Sequence, residues 1–110
     1  MPTKTKITVV KVFEPKDIIG EDFIRESGKP IPKCPFFKEG DEFFVNEFGE
    51  MPEKFCQFAF ISISKFVDIL RLGGGYDDWT GKDTMYGVCH DGIRPVCFKI
   101  QRIEEKKVKE

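Results

Sequence analysis

The stretch TMYGVCHDGIRPVCFKIQRI, residues 84–103, contains the strongest indication of the fold. Its two arms, 84–90 and 93–103, are rich in β-branched and aromatic residues and flank the dipeptide Asp91-Gly92. Asp-Gly between two such runs is the strongest short-range signal for a two-residue type I′ turn. The stretch therefore predicts a β-hairpin.

A two-residue turn also predicts which residues share a face of the hairpin. It places Cys89 opposite Arg94 and Tyr86 opposite Cys97. Apolar and polar residues alternate along the second arm, which indicates a sheet with one buried and one wetter face. Cys89 is then expected on the buried face with Phe98, and Cys97 on the other face.

The hairpin needs further elements, because two strands alone are marginally stable in water. The runs 6–13 and 42–46 predict two more strands, the first of them beside the last strand of the chain. Residues 55–72 have a helical apolar period, and their apolar arc comprises Phe58, Ala59, Ile63, Phe66, Val67, Ile69 and Leu70. The sequence thus predicts an α+β domain in which one main helix covers an antiparallel sheet of strands near 6–13, 42–46, 84–90 and 94–103.

Length and charge narrow the class of protein. The chain has 110 residues, enough for one hydrophobic core, and 12 of them are Phe. A single domain over 1–110 is expected, with the charge run 104–110 as a solvated tail. Lys plus Arg total 18 and Asp plus Glu total 19, so the formal net charge is -1. Nucleic acid is not an expected partner, because the broad cationic field of a general nucleic-acid binder is missing.

The sequence pattern predicts a cytoplasmic protein that does not enter a membrane. The first apolar run is short and is broken by Lys11, which is not typical of a secretory signal. The longest apolar stretch contains Lys65, Asp68 and Arg71, which a membrane span would exclude. The four cysteines include no C-x-x-C pair, and disulfides are not expected in a reducing cytosol.

Three of the cysteines are expected to converge at one end of the core. Cys34 precedes Pro35 at a strand entrance, Cys56 lies near the helix start on its apolar arc, and Cys89 lies on the buried face of the hairpin. Two interpretations stay open. The three thiols are candidate ligands for a soft metal ion or an iron-sulfur cluster with an open or exogenous fourth position. Alternatively, they pack as small hydrophobic residues.

Arg94 is a second candidate residue, since the predicted register places it opposite Cys89. An adjacent guanidinium favours thiolate over thiol, so Cys89 is expected to be the most reactive or best-ligating cysteine. The structural alternative is that Arg94 caps nearby loop carbonyls or pairs with Asp91 or Glu39, while Cys89 is simply buried.

The loop around Trp79 offers two weaker hypotheses. Trp79 and Tyr76 are candidates for a ligand lid, although a large aromatic residue more commonly anchors a loop on the core. Asp77, Asp78 and Asp83 are candidates for a hard-cation site, but they lack the ligand spacing of a calcium loop and favour a solvated acidic loop.

Three strings, CPFFKEGDEF (34–43), MPEKFCQFAF (51–60) and CHDGIRPVCFKIQRIE (89–104), follow KITVVKVF (6–13) in this order. With these strings the chain resembles a family of small single-domain proteins of anaerobic bacteria and archaea that has no settled activity. It is most specific in the C-P-x-F-x-x-G-D-E-F and D-G-x-R-P-V-x-F-K-I motifs. It implies a stand-alone cytoplasmic domain and no particular mechanism.

The resemblance also divides the candidate residues into those inside the family's motifs and those that depart from its pattern. Cys34, Cys56 and Cys89 fall inside the family's motifs, whereas Cys97 and His90 look like departures from its pattern. The occurrence of the family in anaerobes suits thiolate or cluster chemistry.

Two classes of function follow from these patterns. The favoured class is a binding or accessory module without catalysis of its own, and the alternative is a cysteine-based metal, iron-sulfur or redox protein. A homodimer or another protein partner is expected, because a small domain with many Phe residues and a half-wet sheet leaves apolar surface to cover.

Overall fold

A computed structural model of the chain describes residues 2–103. Within them the elements are β1 (Lys4–Val12), α1 (Pro15–Ile19), β2 (Glu42–Val45), α2 (Gln57–Arg71), β3 (Thr84–Val88) and β4 (Val96–Ile103). The strands form one antiparallel sheet in the order β2-β1-β4-β3. The predicted α+β fold is confirmed. The predicted charged tail, 104–110, lies outside the described residues.

Strand β1 lies inside the sheet, between β2 and β4. It pairs with β4 from Lys4 opposite Ile103 to Val12 opposite Val96, with an irregularity between Val9 and Lys11. The expected neighbourhood of the first and last strands is therefore confirmed.

Strands β3 and β4 form the predicted hairpin, but the predicted register is wrong by two residues. Val88 lies opposite Cys97, and the Cys89 N–H donates to the Val96 carbonyl at 3.1 Å. The connecting loop is 90–95. A shift of two residues keeps every side chain on its predicted face, because side chains alternate with a period of two.

The loop is longer than two residues because Asp91 organises it through its side chain. The Asp91 carboxylate accepts hydrogen bonds from the backbone N–H groups of Ile93 at 3.0 Å and Arg94 at 3.1 Å. Gly92 does not adopt the positive φ that a type I′ turn requires. Pro95 has no N–H and cannot extend the ladder toward the turn. A local side-chain turn therefore replaces the two-residue hairpin turn.

Helix α2 covers the inner face of the sheet and packs chiefly against β3. Ala59, Ile63, Val67 and Leu70 are its buried residues. The prediction that Phe58 belongs to the buried arc is wrong, since its side chain is 67% exposed. The buried arc is narrower than predicted, and Phe58 lies outside it.

Phe rings fill the core between the amino end of α2 and the sheet. The Phe37 ring centroid lies 5.1 Å from that of Phe55, 5.2 Å from that of Phe98 and 5.7 Å from that of Phe43. Edge-to-face pairs such as Phe37 with Phe98 add a favourable interaction between rings to the stabilisation that comes from apolar burial. The outer face of the sheet carries half-exposed Tyr86 and Val88 and more exposed Phe44.

Candidate functional site

A cavity of about 240 Å³ lies beside the amino end of α2. Cys34, Cys56 and Cys89 all line it, and we call it the thiol cavity. The structure thus brings together the three cysteines that the sequence predicts to converge. They come from three segments that are far apart in the chain.

The thiol cavity has an apolar floor and a polar rim. Buried Phe37, Ala59 and Val96 form the floor, and the three cysteines are each partly exposed. The rim contains Asp91 and Arg94 of the 90–95 loop, together with Phe58 and His90. Ligand sites commonly combine apolar walls with a few polar groups in this way.

Backbone geometry positions two of the three thiols. Cys56 is the N-cap residue of α2, where its side chain makes no capping hydrogen bond. The Val96 N–H donates to Cys89 Sγ at 3.3 Å, which orients the Cys89 side chain on the inner face of the sheet. Both sulfurs are therefore held at the cavity by elements of the core.

The three sulfurs share a cavity without forming a ligand set. Within residues 2–103, no group of three or more His, Cys, Asp or Glu side chains has the arrangement needed to hold a metal ion.

Arg94 joins the thiol cavity, but the predicted pairing with Cys89 across the hairpin is wrong because of the longer loop. Its Nε lies 3.2 Å from Asp91 Oδ2, and its Nη1 donates to the Pro32 carbonyl at 3.1 Å. The structural alternative is confirmed for Arg94, which pairs with Asp91 and caps a loop carbonyl, but its other part is wrong because Cys89 is partly exposed and not buried. Arg94 thereby ties the chain before Cys34 to the hairpin loop.

Asp91 is held as a carboxylate by the same network. Burial raises the pKa of Asp91, but the hydrogen bonds from Ile93 and Arg94 and the charge of Arg94 outweigh burial and lower its pKa overall. The rim of the thiol cavity therefore contains a stable ion pair at neutral pH.

A contact between α2 and the hairpin loop was not anticipated from the sequence. Ser62 Oγ lies 3.1 Å from His90 Nδ1, and the Phe58 ring meets the His90 ring edge-on at 5.4 Å between centroids. Ser62 and His90 are 28 residues apart, and no sequence motif joins them. Of these residues, His90 and Phe58 line the thiol cavity.

Cys97 lies apart from the thiol cavity, as its predicted face requires. It lies opposite Lys11 on one side and Val88 on the other. Burial raises the pKa of the Cys97 thiol. Cys97 is therefore a natural internal control for the three cavity thiols.

Trp79 belongs to a different part of the surface. Its side chain is 84% exposed, so it does not anchor its loop on the core. Tyr76 lies beside it, with 6.2 Å between ring centroids. Neither residue lines the thiol cavity. Asp83 pairs with Arg102 at 3.0 Å, whereas Asp77 and Asp78 are exposed.

Searches of protein-family models, curated proteins and solved structures find no match to this chain. The family suggested by its motifs therefore stays a prediction. None of the helices in residues 2–103 has the length and apolar character required to cross a membrane.

Proposed function

We propose that this protein is a small binding module without catalysis of its own, and that its ligand occupies the thiol cavity. One observation carries the proposal. Three segments distant in sequence place Cys34, Cys56 and Cys89 around a single cavity with an apolar floor. Such concave, partly apolar sites are the usual place of small-molecule binding.

The lining indicates the chemistry of the ligand. Aromatic, methyl and sulfur groups suit an apolar, polarisable molecule. A volume of about 240 Å³ lies below the roughly 300 to 1,000 Å³ of drug-sized pockets, so the ligand is small. The polar rim at Arg94 and Asp91 would orient a polar end of that molecule.

The test fills the cavity and measures binding of a defined probe, 1-anilinonaphthalene-8-sulfonate. Ala59→Leu extends a buried floor residue into the cavity, and we expect at least a fivefold loss of affinity in a fluorescence titration. Gln57→Leu is the matched control, because it introduces the same side chain on the same helix at an exposed position.

A second measurement locates the probe. Bound probe should slow maleimide labelling of Cys34, Cys56 and Cys89 but not of Cys97, as read by mass spectrometry of peptides. Equal binding by wild type and Ala59→Leu, or equal protection of Cys97, would contradict the proposal.

A second candidate function is binding of a soft metal ion or an iron-sulfur cluster by the same three cysteines. The convergence of Cys34, Cys56 and Cys89 favours it, and thiolates suit such ions. The metal content and colour of protein purified without oxygen test this function. Each of Cys34→Ser, Cys56→Ser and Cys89→Ser should lose the metal, and Cys97→Ser should keep it. Metal-free protein whose three variants lose only stability would favour packing instead.

We also propose that the protein acts in the cytoplasm as a homodimer and that nucleic acid is not its partner. The cysteines Cys34, Cys56, Cys89 and Cys97 are free thiols, which suits a reducing compartment. Exposed Phe48, Phe58 and Ile61 supply apolar surface for a second copy. Light scattering at high concentration tests the dimer, and a monomer mass would contradict it.

A further inference from the structure

Strand β3 lies at the edge of the sheet, with β4 on one side and no neighbouring strand among the described residues on the other. An edge strand offers unpaired N–H and C=O groups to another chain. The hydrogen-bond register shows which groups of β3 are offered.

Alternate residues of β3 bond to β4. The Cys89 N–H donates to the Val96 carbonyl at 3.1 Å, and the Arg102 N–H donates to the Asp83 carbonyl at 2.8 Å. Odd-numbered residues from 83 to 89 therefore point their backbone groups toward β4, and even-numbered ones point away.

On the side of β3 that faces away from β4, the backbone groups of two residues remain available for hydrogen bonding. Thr84 is occupied by its own loop, since its N–H donates to the Gly81 carbonyl and its carbonyl accepts from Thr80 Oγ1. Tyr86 and Val88 have no outward backbone partner in the described part of the chain. Their separation of two residues is the repeat at which an added strand forms its hydrogen bonds.

Two cavities follow this edge and meet in the middle. One, of about 470 Å³, is lined by Ser62, Lys65 and Val88 among others, and the other, of about 370 Å³, is lined by Tyr76, Trp79 and Thr80. Phe66 and Tyr86 line both cavities. We call the continuous depression the edge groove.

Helix α2 covers the inner side of this edge, because a Cβ added at Gly87 would lie 2.9 Å from the Phe66 ring and 3.0 Å from Ile63. Two paired β3 strands would lie about 4.8 Å apart. Packed helices need about 8 to 10 Å between axes, so pairing of two copies through β3 brings their α2 helices close together. An extended segment without a helical layer avoids this crowding and is the favoured occupant.

Two exposed carboxylates that precede Trp79 in the chain, outside the cavity linings, select the partner further. Asp77 and Asp78 precede exposed Trp79 and make no ion pair within residues 2–103. Two carboxylates beside an exposed indole attract a cationic side chain, which also gains a cation–π contact.

We propose that an extended segment of a partner protein adds to β3 as a fifth strand. Its backbone pairs with Tyr86 and Val88, its alternate apolar side chains enter the edge groove, and a Lys or Arg lies at the Trp79 end. This is β-strand addition, in which backbone bonds supply affinity and pockets supply specificity.

The probe for this proposal is a random octapeptide phage library, followed by synthesis of the enriched peptides. Enriched peptides should alternate apolar residues and carry a Lys or Arg near one end. Val88→Pro removes one outward N–H and should reduce their affinity at least tenfold. Val88→Thr keeps the N–H and should change it less than twofold. Trp79→Ala should reduce affinity about fivefold.

Amide hydrogen exchange of the wild type supplies a test that needs no variant to fold. The amides of Tyr86 and Val88 should exchange fast in the free protein and become protected by the enriched peptide. Those of Met85 and Gly87 should be protected in both states.

Three results would overturn the proposal. They are a library without enriched peptides, peptides that leave Tyr86 and Val88 exchange unchanged, and a dimer in light scattering that Val88→Pro dissociates. Ala59→Leu fills the thiol cavity and should leave peptide binding unchanged, which separates this proposal from the small-molecule site.

Discussion

The two ends of helix α2 are packed in opposite ways. At the carboxyl end, the Arg102 guanidinium enters from β4 and donates to the carbonyls of Leu70 and Gly74, and its Nη1 lies 3.0 Å from Asp83 Oδ1. At the amino end, Cys56 caps the helix without a side-chain hydrogen bond and borders a cavity. One end is closed by a polar network and the other stays open.

The difference follows from the helix itself. The last carbonyls of a helix have no partner within it and carry partial negative charge, so a cation stabilises them. Arg71 adds a second tie at this end, since its Nη1 donates to the Glu47 carbonyl at 3.1 Å. Because the polar network at the carboxyl end holds α2 on the sheet, the amino end can border a cavity.

Arg102→Leu tests the closed end and should have the largest effect. The Arg102 side chain is only 13% exposed, and its loss removes a donor from Asp83 and from the carbonyls of Leu70 and Gly74. We expect the free energy of unfolding to fall by about 3 kcal/mol in urea titrations. Gln101→Leu places the same side chain on the neighbouring residue, whose side chain lies on the other sheet face, and should change it little. A loss of less than about 1 kcal/mol for Arg102→Leu would show that the network is dispensable.

A matched pair of enlargements compares tight and open packing under α2. Gly87→Ala places a Cβ 2.9 Å from the Phe66 ring and should destabilise the protein by about 2 kcal/mol. Ala59→Leu directs its added atoms into the thiol cavity and should cost less than about 1 kcal/mol. Chemical denaturation of both variants checks the pair. If Ala59→Leu costs as much as Gly87→Ala, the amino end of α2 is closed.

Thr5→Val removes an imperfection at the closed end. Thr5 lies opposite Arg102 on the inner face, is fully buried, and has no hydrogen-bond partner for its hydroxyl in the described part of the chain. Replacing the hydroxyl by a methyl of similar shape should stabilise the protein by about 1 kcal/mol. Thr8→Val on the outer face is the control for β propensity. A midpoint of thermal unfolding that falls in Thr5→Val alone would indicate that the hydroxyl has a partner.

Asp91→Asn tests the rim of the open end through pH and should have the smallest effect. Because the folded-state pKa of Asp91 is lowered, its stabilisation is present above the unfolded-state pKa and is lost as pH falls through the folded-state pKa. Wild type should exceed Asp91→Asn in stability at neutral pH by less than about 1 kcal/mol, since exposed ion pairs are screened. The gap should close in acid. A gap independent of pH would mean that the Asp91 charge contributes nothing.

The face on which a side chain lies was predictable from the sequence, whereas its contacts were not. Cys89 and Cys97 were assigned to the correct faces although the turn was wrong, because a register error of two residues preserves alternation. The predicted pairing of Cys89 with Arg94 was wrong, because the residue that lies opposite another across a hairpin depends on the length of the loop. The prediction that Phe58 is buried was wrong for a related reason. Phe58 lies near the margin of the helical arc, where burial depends on what packs beside it.

The sequence alone predicted the α+β class, the order of the strands and the main helix, and the inward faces of the two hairpin strands, because these depend on local periodicity and turn chemistry. It also predicted that Cys34, Cys56 and Cys89 converge, which is a consequence of those faces. The Asp91 turn and the hydrogen bonds of Arg102 at the carboxyl end of α2 became visible only in the tertiary structure. These depend on distances between groups far apart in the chain, and such distances are determined when the core packs rather than by any local pattern.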